Sequence, residues 1–458
     1  MAKGKSRALF GSKFGVIAAA AGSAIGLGNI WKFPYITGVY GGASFLFVYL
    51  AFILAIGLPV MLSELVIGRN TRKNAFGAFK KLAPGSPWSL IGSFGVGAAF
   101  LILSFYGVVA GWSIKYIVFS VFNSFKGSSP EEISTIFKGF IESPTEPLAF
   151  QIIFMLMTGI IVIIGVQKGI ERYSKILMPI LLVLIIILDI RALTLKGAGE
   201  GLKFLFHPDF SKLTFEGILS ALGHAFFSLS LGMGTLITYG SYIRKNNNLV
   251  ETAIQVTVAD TVIAILAGIA IFPAVFAFNI APDNGVGLIF QTLPNVFLKM
   301  PGGYIFSILF FILLTIAALT SAISILEVVV AYFSEELKIN RRVSTILATA
   351  LITLLGIICS LSMGIFSGYT FFGLNFFDLL DFISANILLP VGGMFIALFI
   401  GWRIGKFKVL KEVAHGGNLK GWFLNTFMIL VRFVAPFAIF VVFLKGVKIL
   451  DWIINLFN

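Results

Sequence analysis

The sequence predicts an all-α polytopic membrane protein with eleven transmembrane helices. Hydrophobic residues make up 58% of the 458 residues, charged residues only 12%, and the mean hydropathy is +1.00. A single soluble core cannot bury so much apolar surface. Apolar runs long enough to cross a bilayer follow one another along the chain. We place these spans at about 13–38, 42–68, 88–123, 148–166, 170–192, 216–242, 250–279, 303–333, 343–364, 375–402 and 424–445.

The basic residues predict how the spans are oriented. A net charge of +14 is compatible with nucleic-acid binding, but Lys and Arg are concentrated in alternate segments, beginning with the N-terminal one. This is the pattern of the positive-inside rule. We therefore expect a multi-pass protein of the plasma (cell inner) membrane, with its N-terminus in the cytoplasm, its C-terminus outside, and no nucleic-acid partner.

The N-terminal stretch "MAKGKSRALFGSKFGVIAAAAGSA" has the basic start and apolar middle of a signal peptide. Because apolar sequence resumes after "NIWKFPY" and many spans follow, we interpret it as part of the bundle. The lone cysteine, Cys359, lies in an apolar run and excludes an intramolecular disulfide. We expect residues 1–458 to form a single domain.

Two spans contain a break in the helical pattern. The segment "GSAIGLGNIWKFPY" (22–35) puts three glycines, an asparagine, a lysine and a proline inside span 1, and "AIGLG" (24–28) returns as "SLGMG" (230–234) in span 6. Five crossings separate the copies, so they have opposite orientations, as in an inverted-topology repeat. We expect two inverted five-helix repeats, 13–192 and 216–402, followed by helix 11 at 424–445.

Broken helices expose backbone amides and carbonyls at membrane depth, which is tolerated only around a protein-lined cavity. Free amides attract an anion and free carbonyls attract cations, so two facing breaks suit a molecule with both charges, such as an amino acid. Asp260, Asp378 and Asp381 also lie within spans, where a carboxylate costs at least about 2.5 kcal/mol and needs a partner or a function. Thr320 and Ser321 in span 8 have an alternative, because such hydroxyls often bond to their own helix.

Three long motifs resemble those of the neurotransmitter:sodium symporters, most closely the eleven-span prokaryotic amino-acid transporters. They are "GSAIGLGNIWKFPY", "FFSLSLGMGTLITYGSY" (226–242) and "LTSAIS" (319–324), and the resemblance extends from about residue 7 to about residue 402. It implies sodium-coupled symport of a neutral amino acid by alternating access. The partners expected are the amino acid, sodium ions and the lipid bilayer.

The resemblance implies two sodium sites built from oxygen ligands. The first would use the Ala24 carbonyl and the side chains of Asn29, Ser228 and Asp260. The second would use carbonyls of Gly22, Ile25 and Ala317 with the hydroxyls of Thr320 and Ser321. Asp260 stands where many relatives have asparagine, and this fixed negative charge predicts transport without chloride.

The resemblance also implies where the amino acid binds. Its carboxylate would meet the amides of Leu27 and Gly28 and the hydroxyl of Tyr106, a residue that by itself could be an ordinary aromatic filler. Its ammonium would meet carbonyls of Ala24, Phe227 and Ser228 and the hydroxyl of Ser230, whereas Ile102, Phe227, Met233 and Ile325 would line the side-chain pocket. These apolar walls favour a hydrophobic or aromatic substrate.

Gates are implied on both sides of the site. Arg7, Phe10, Tyr242 and Glu335 would close the cytoplasmic side, and Lys32 and Asp381 would pair, directly or through water, on the outer side. Without the resemblance, Lys32 could extend to the interface and Asp381 could cap a helix. The spacing of Gly169 and Pro179 is one that these transporters use to unwind span 5.

Other functions fit less well. The chain has no H-E-x-x-H, G-x-S-x-G or P-loop motif, and His224, the only histidine in a span, is more often a packing residue than a ligand. We therefore expect no enzyme activity. An ion or solute channel remains the alternative on physical grounds, because broken helices also build selectivity filters. Saturable uphill uptake distinguishes a transporter from a channel.

Overall fold

The structure is a computed structural model that describes residues 7–278, 287–413 and 421–450. In these residues all the regular secondary structure is helical, apart from one isolated bridge between Phe371 and Leu374. Nine described helices are long and apolar enough to cross a membrane, and a tenth span consists of two helices bent by 49°. These findings confirm the predicted all-α polytopic class.

The bounds of the spans agree with the predicted ones to within a few residues, except that span 10 is longer. Spans 2–5 are Ala43–Thr71, Ser89–Val121, Glu146–Ile164 and Val166–Leu193, and spans 7–11 are Leu249–Ala277, Gly303–Glu335, Arg341–Leu361, Phe376–Val413 and Gly421–Gly446. Four shorter helices that the sequence analysis did not predict lie between spans: Ala75–Leu82, Pro130–Glu142, Ala198–Phe206 and Leu293–Lys299.

Span 1 is broken where the motif predicts. Its two parts are Lys13–Ala24 and Gly28–Val39. The break begins at Ile25, whose ψ of 105° is extended. Neither Gly26 nor Gly28 has a positive φ in the structure. These two glycines provide space instead, because a Cβ on Gly26 would lie 2.8 Å from the Tyr106 hydroxyl.

Span 6 is broken for a different reason. Its parts are Phe215–Ser228 and Thr235–Gly240, each too short to cross a bilayer alone. Between them Ser230, Gly232 and Gly234 have φ values of 54°, 80° and 74°. Left-handed backbone of this kind favours glycine, and it separates the two helical parts. Span 1 is thus the tenth candidate span of the described residues, and the crossing of the membrane by span 6 remains a prediction.

The most buried spans, 3 and 8, are 33 residues each and pack against each other, and span 8 also packs on span 1. Span 5 is mostly exposed to the bilayer. Its helix Arg172–Leu193 continues through Pro179, so the unwinding suggested by the Gly169 and Pro179 spacing is not present in this structure. The division into two inverted repeats remains a prediction. We call the side of the membrane that carries Arg7 the N-terminal side.

Candidate functional site

The two breaks meet in the middle of the bundle. The hydroxyl of Ser230 in span 6 donates to the carbonyl of Ser23 in span 1 at 2.8 Å, and the hydroxyl of Ser321 in span 8 donates to the same carbonyl at 3.1 Å. All three residues are buried. Backbone freed by the breaks is therefore satisfied by side chains from neighbouring spans, which is what membrane depth requires.

Three of the residues predicted for the first sodium site form one buried cluster. The Asp260 carboxylate accepts hydrogen bonds from the Asn29 amide at 2.7 Å and from the Ser228 hydroxyl at 3.0 Å. The Asn29 side-chain oxygen accepts from the Gly26 amide at 3.1 Å, which ties the cluster to the break in span 1. Carboxylate, amide and hydroxyl oxygens are ligands that suit a hard cation.

Tyr49 belongs to this cluster, although the sequence analysis did not select it. Its hydroxyl lies 3.3 Å from the Ser228 oxygen and 3.5 Å from an Asp260 oxygen, and the side chain is fully buried. A tyrosine in an apolar span carries no signal by itself, since most such rings are packing. Only the short distance between its hydroxyl and Asp260 in the structure places Tyr49 in this cluster.

Some of the residues predicted for the second sodium site also lie together, where span 1 packs on span 8. A Cβ on Gly22 would lie 3.2 Å from the Thr320 Cβ, and Ile25 is fully buried. The Thr320 hydroxyl donates to carbonyls of its own helix, including that of Ala317 at 3.1 Å. In this structure the Thr320 hydroxyl therefore bonds to its own helix, which is the alternative given in the sequence analysis. Binding of a cation by these groups remains a prediction.

A narrow cavity of about 20 Å³ lies between the two breaks on one side and spans 3 and 8 on the other. Nine of the ten predicted substrate residues line it, the exception being Ser228, which lies in the Asp260 cluster. At one end the Leu27 amide donates to the Tyr106 hydroxyl at 3.2 Å, so two groups predicted to hold a carboxylate face each other. The lining residues are Ala24, Gly26, Leu27, Gly28, Ile102, Tyr106, Phe227, Ser230, Met233, Ser321 and Ile325.

On the N-terminal side, the four residues predicted to form a gate contact one another. The Arg7 guanidinium pairs with the Glu335 carboxylate and lies 4.7 Å from the centre of the Tyr242 ring. Phe10 packs edge-to-face on Tyr242, with 5.9 Å between the ring centres. Burial lowers the pKa of Arg7 below its ordinary value, while Tyr242 and Glu327 oppose the shift, and the guanidinium keeps its charge.

A second group of contacts on this side, centred on Glu327, was missed by the sequence analysis. Glu327 is fully buried in span 8 and accepts from the Tyr242 hydroxyl at 2.6 Å. Arg341, at the start of span 9, donates to both of its oxygens at 2.7 and 2.9 Å. The signal was available, because a carboxylate within an apolar span needs a partner as much as Asp260 does.

Two other buried acids also went unselected, and each holds backbone at a break or helix start. Glu64 of span 2 accepts from the Gly232 amide in the span 6 break at 2.8 Å. Glu171 of span 5 accepts from the amides of Gly11 and Ser12 at 2.6 and 3.1 Å, just before span 1 begins. Carboxylates are favourable partners for the free amides at helix starts and breaks.

The opposite side of the cavity is arranged differently. Lys32 lines a cavity of about 400 Å³, and its ammonium lies 4.6 Å from the centre of the Phe227 ring. Among the described residues, no acidic group lies within 4 Å of Lys32, so the direct pair with Asp381 is not formed. Buried His224 lines the same cavity and packs on Phe33 and Tyr49, consistent with a packing residue at its border.

Comparisons with known proteins agree with this geometry. The model of the sodium:neurotransmitter symporter family matches residues 7–133 and 132–453. The sodium-dependent transporter YhdH of Bacillus subtilis is 45% identical over 96% of this chain and 98% of its own, and a sodium-dependent transporter of Haemophilus influenzae is 38% identical over the same shares.

A solved structure is also similar. MhsT in complex with L-phenylalanine is 50% identical, with a TM-score of 0.89 over 96% of this chain and all of that one. More distantly, the sodium- and chloride-dependent GABA transporter ine of Drosophila melanogaster is 26% identical over 94% of this chain and half of its own. The resemblance of the motifs is confirmed: this chain belongs to the sodium:neurotransmitter symporter family.

Proposed function

We propose that this protein is a symporter that carries a neutral, hydrophobic or aromatic L-amino acid into the cell together with sodium. The observation that carries the proposal is the cavity lined by the two helix breaks and by spans 3 and 8. One end presents the Leu27 amide and the Tyr106 hydroxyl, and the walls are the apolar side chains of Ile102, Phe227, Met233 and Ile325. Polar groups at one end of an apolar pocket fit an amino acid with an uncharged side chain.

Gly26 supports an amino-acid substrate over an amine without a carboxylate. A Cβ at this position would lie 2.8 Å from the Tyr106 hydroxyl and 3.0 Å from the Ser321 Cβ. A side chain here would therefore occupy the place next to Tyr106. Glycine leaves that place to the carboxylate of the substrate itself. MhsT, the similar protein of known structure, was determined with L-phenylalanine, which has this chemistry.

Two sodium ions are proposed as the coupling substrates. The Asn29, Ser228 and Asp260 cluster would bind one ion, and the span 1–span 8 contact around Gly22, Thr320 and Ser321 would bind the other. When two sodium ions each move down a potential of roughly 100 mV and a tenfold concentration gradient, they supply about 7 kcal/mol together. This free energy is enough for strong accumulation of the amino acid. The buried carboxylate of Asp260 supports transport without chloride, because it already supplies a negative charge beside the first ion.

The asymmetry of the two sides supports alternating access. Arg7, Phe10, Tyr242 and Glu335 would form the gate on the N-terminal side, which we propose faces the cytoplasm of a cell bounded by the plasma membrane. Lys32 and Asp381 would form the outer gate when substrate is bound. Sodium and the amino acid would enter from the outer cavity and leave after the Arg7–Glu335 pair separates.

A binding screen tests this function. The purified protein is incubated with each of the twenty amino acids, in sodium and in potassium buffer, and bound ligand is measured. We expect binding of apolar and aromatic amino acids in sodium only, and weaker sodium-dependent binding by Asp260→Asn. Asp209→Asn, an exposed residue outside the spans, is the matched control. Equal binding in potassium, or a preference for charged amino acids, would contradict the proposal.

A further inference from the structure

Span 10 ends in a short amphipathic helix on the N-terminal side. The chain turns at Gly405, whose φ is 75°, and the helix Gly405–Val413 follows. We call it the juxtamembrane helix. Val409 and Val413 are buried against the bundle, one turn apart. Its outward face carries Lys406, Phe407, Lys408 and Lys411, all exposed.

The outward face is strongly basic. Arg403, Lys406, Lys408 and Lys411 are exposed, and Glu412 is the only acid in residues 401–413. The Glu412 carboxylate is neutralised elsewhere, because it accepts from the Arg69 side chain at 3.0 Å and from Asn70 at 2.9 Å. In the described part of the chain, none of the four cations has an acidic partner within 4 Å. The surface is therefore complementary to an anion.

Large aromatic side chains border these cations. Phe407 is 81% exposed, Trp402 in the last turn before Gly405 is 62% exposed, and Trp422 at the start of span 11 is 65% exposed. In water this exposure is unfavourable, whereas at the headgroup level of a bilayer tryptophan and phenylalanine are stabilised. Basic and aromatic residues at the end of a span are the features that favour a lipid surface over a soluble anion.

The juxtamembrane helix is also bonded to the transport bundle. Arg69, 3% exposed at the end of span 2, donates both to the side chain and to the backbone carbonyl of Glu412. The same guanidinium donates at 2.6 Å to the carbonyl of Asn247, in the segment between spans 6 and 7. Arg69 therefore links the juxtamembrane helix to the segment that follows the broken span 6.

We propose that the juxtamembrane helix binds the phosphate headgroups of anionic phospholipids in the leaflet on the N-terminal side. Arg403, Lys406, Lys408 and Lys411 attract the phosphates, and Trp402, Phe407 and Trp422 insert at the headgroup level. The assignment of that leaflet to the cytoplasmic side rests on the proposed function, but lipid binding itself does not. Each lysine near an anionic surface strengthens attraction about fivefold.

Tryptophan quenching by brominated lipid tests this proposal. The full-length protein is reconstituted into phosphatidylcholine vesicles that contain a minor fraction of brominated phosphatidylglycerol or, in parallel, of brominated phosphatidylcholine. Bromine quenches the fluorescence of Trp402 and Trp422 when the lipid lies against them. For the unaltered protein we expect stronger quenching by the anionic lipid, and a decrease of this preference in high salt.

The test variant is K406Q/K408Q/K411Q, and the matched control is K73Q/K245Q/K338Q, three exposed lysines on the same side but outside the helix. We expect the preference for anionic lipid to be lost in the test variant and retained in the control. An unaltered preference in the test variant, or no preference in the unaltered protein, overturns the proposal. Because quenching does not require transport, failure of the proposed function leaves this result interpretable.

Discussion

The two sides of the candidate site differ in the contacts that their charged residues make. On the N-terminal side, Arg7 pairs with Glu335, Tyr242 bonds to Glu327, and Arg341 holds Glu327 with two hydrogen bonds. On the opposite side, Lys32 rests on Phe227 beside a cavity of about 400 Å³ and has no acidic partner within 4 Å in the described residues. The N-terminal side therefore holds more ion pairs and hydrogen bonds between spans than the opposite side does.

The chemistry of the residues accounts for part of this difference. Arginine donates several hydrogen bonds in a fixed plane, so Arg7 and Arg341 can each hold more than one partner. Lysine is a compact charge on a flexible stem, and its attraction to an aromatic ring is worth about 0.5–2 kcal/mol. A lysine gate can therefore form and separate at a small energetic cost. Three substitutions and one change of anion test whether this difference affects transport.

The largest effect on uptake is expected from Gly26→Ala, because Gly26 lines the cavity that lies between the two sides. The added methyl group would overlap the Tyr106 hydroxyl and Ser321, and overpacking of this kind costs about 1–3 kcal/mol, or up to roughly a hundredfold in substrate affinity. Uptake of the amino acid by reconstituted protein checks this. Gly97→Ala in span 3, where a Cβ would meet nothing within 4 Å, is the control and should transport normally. Normal uptake by Gly26→Ala would place the substrate elsewhere.

Separation of the Arg7–Glu335 pair on the N-terminal side should have the next largest effect. In Arg7→Ala the partly buried Glu335 loses its ion-pair partner, and we expect the maximal uptake rate to fall about tenfold, equivalent to about 1.4 kcal/mol. Lys13→Gln removes the more exposed Lys13–Glu251 pair on the same side and should change uptake little. Equal rates in the two variants would show that the Arg7–Glu335 pair does not act as a gate.

A smaller and more selective effect is expected on the opposite side. Asp381→Asn should lower the maximal uptake rate much more than it weakens sodium binding, because Asp381 would pair with Lys32 only after substrate is bound. Lys32→Arg should be tolerated. Asp378→Asn, one turn earlier and bonded to Asn375, is the control. If Asp381→Asn transports at the normal rate, the outer gate does not exist in this form.

The smallest effect is expected from removal of chloride. Asp260 already supplies a fixed carboxylate beside Asn29 and Ser228, so replacement of chloride by gluconate should leave initial uptake rates unchanged. The rates are measured at constant sodium. Strong inhibition in gluconate would mean that Asp260 does not serve as the counter-charge for sodium.

Much of the fold could be predicted from the sequence, because spans are set by local hydropathy. The positions of both breaks were also predicted, since Gly-rich segments in apolar runs are local signals. What the glycines do could not be predicted. Gly232 and Gly234 adopt positive φ, whereas Gly26 leaves space beside Tyr106, and only the approach of a distant span distinguishes the two cases.

The site was predicted less evenly. The resemblance selected the residues that line the cavity, but not Tyr49, Glu64, Glu171 or Glu327, which act through partners far away in the sequence. Glu64, for example, bonds to the Gly232 amide, 168 residues away. The direction of Lys32 could not be predicted either, because its choice between Phe227 and Asp381 depends on how spans 1, 6 and 10 pack together.

The most direct test of the account is sodium-driven uptake of L-phenylalanine into sealed proteoliposomes. With an inward sodium gradient, we predict saturable uptake that raises the internal concentration above the external one and collapses when the gradient is dissipated. Vesicles with Gly26→Ala should show much less accumulation at the same external concentration of L-phenylalanine. Uptake that persists unchanged with potassium or choline in place of sodium, or flux that does not saturate as in a channel, would contradict the account.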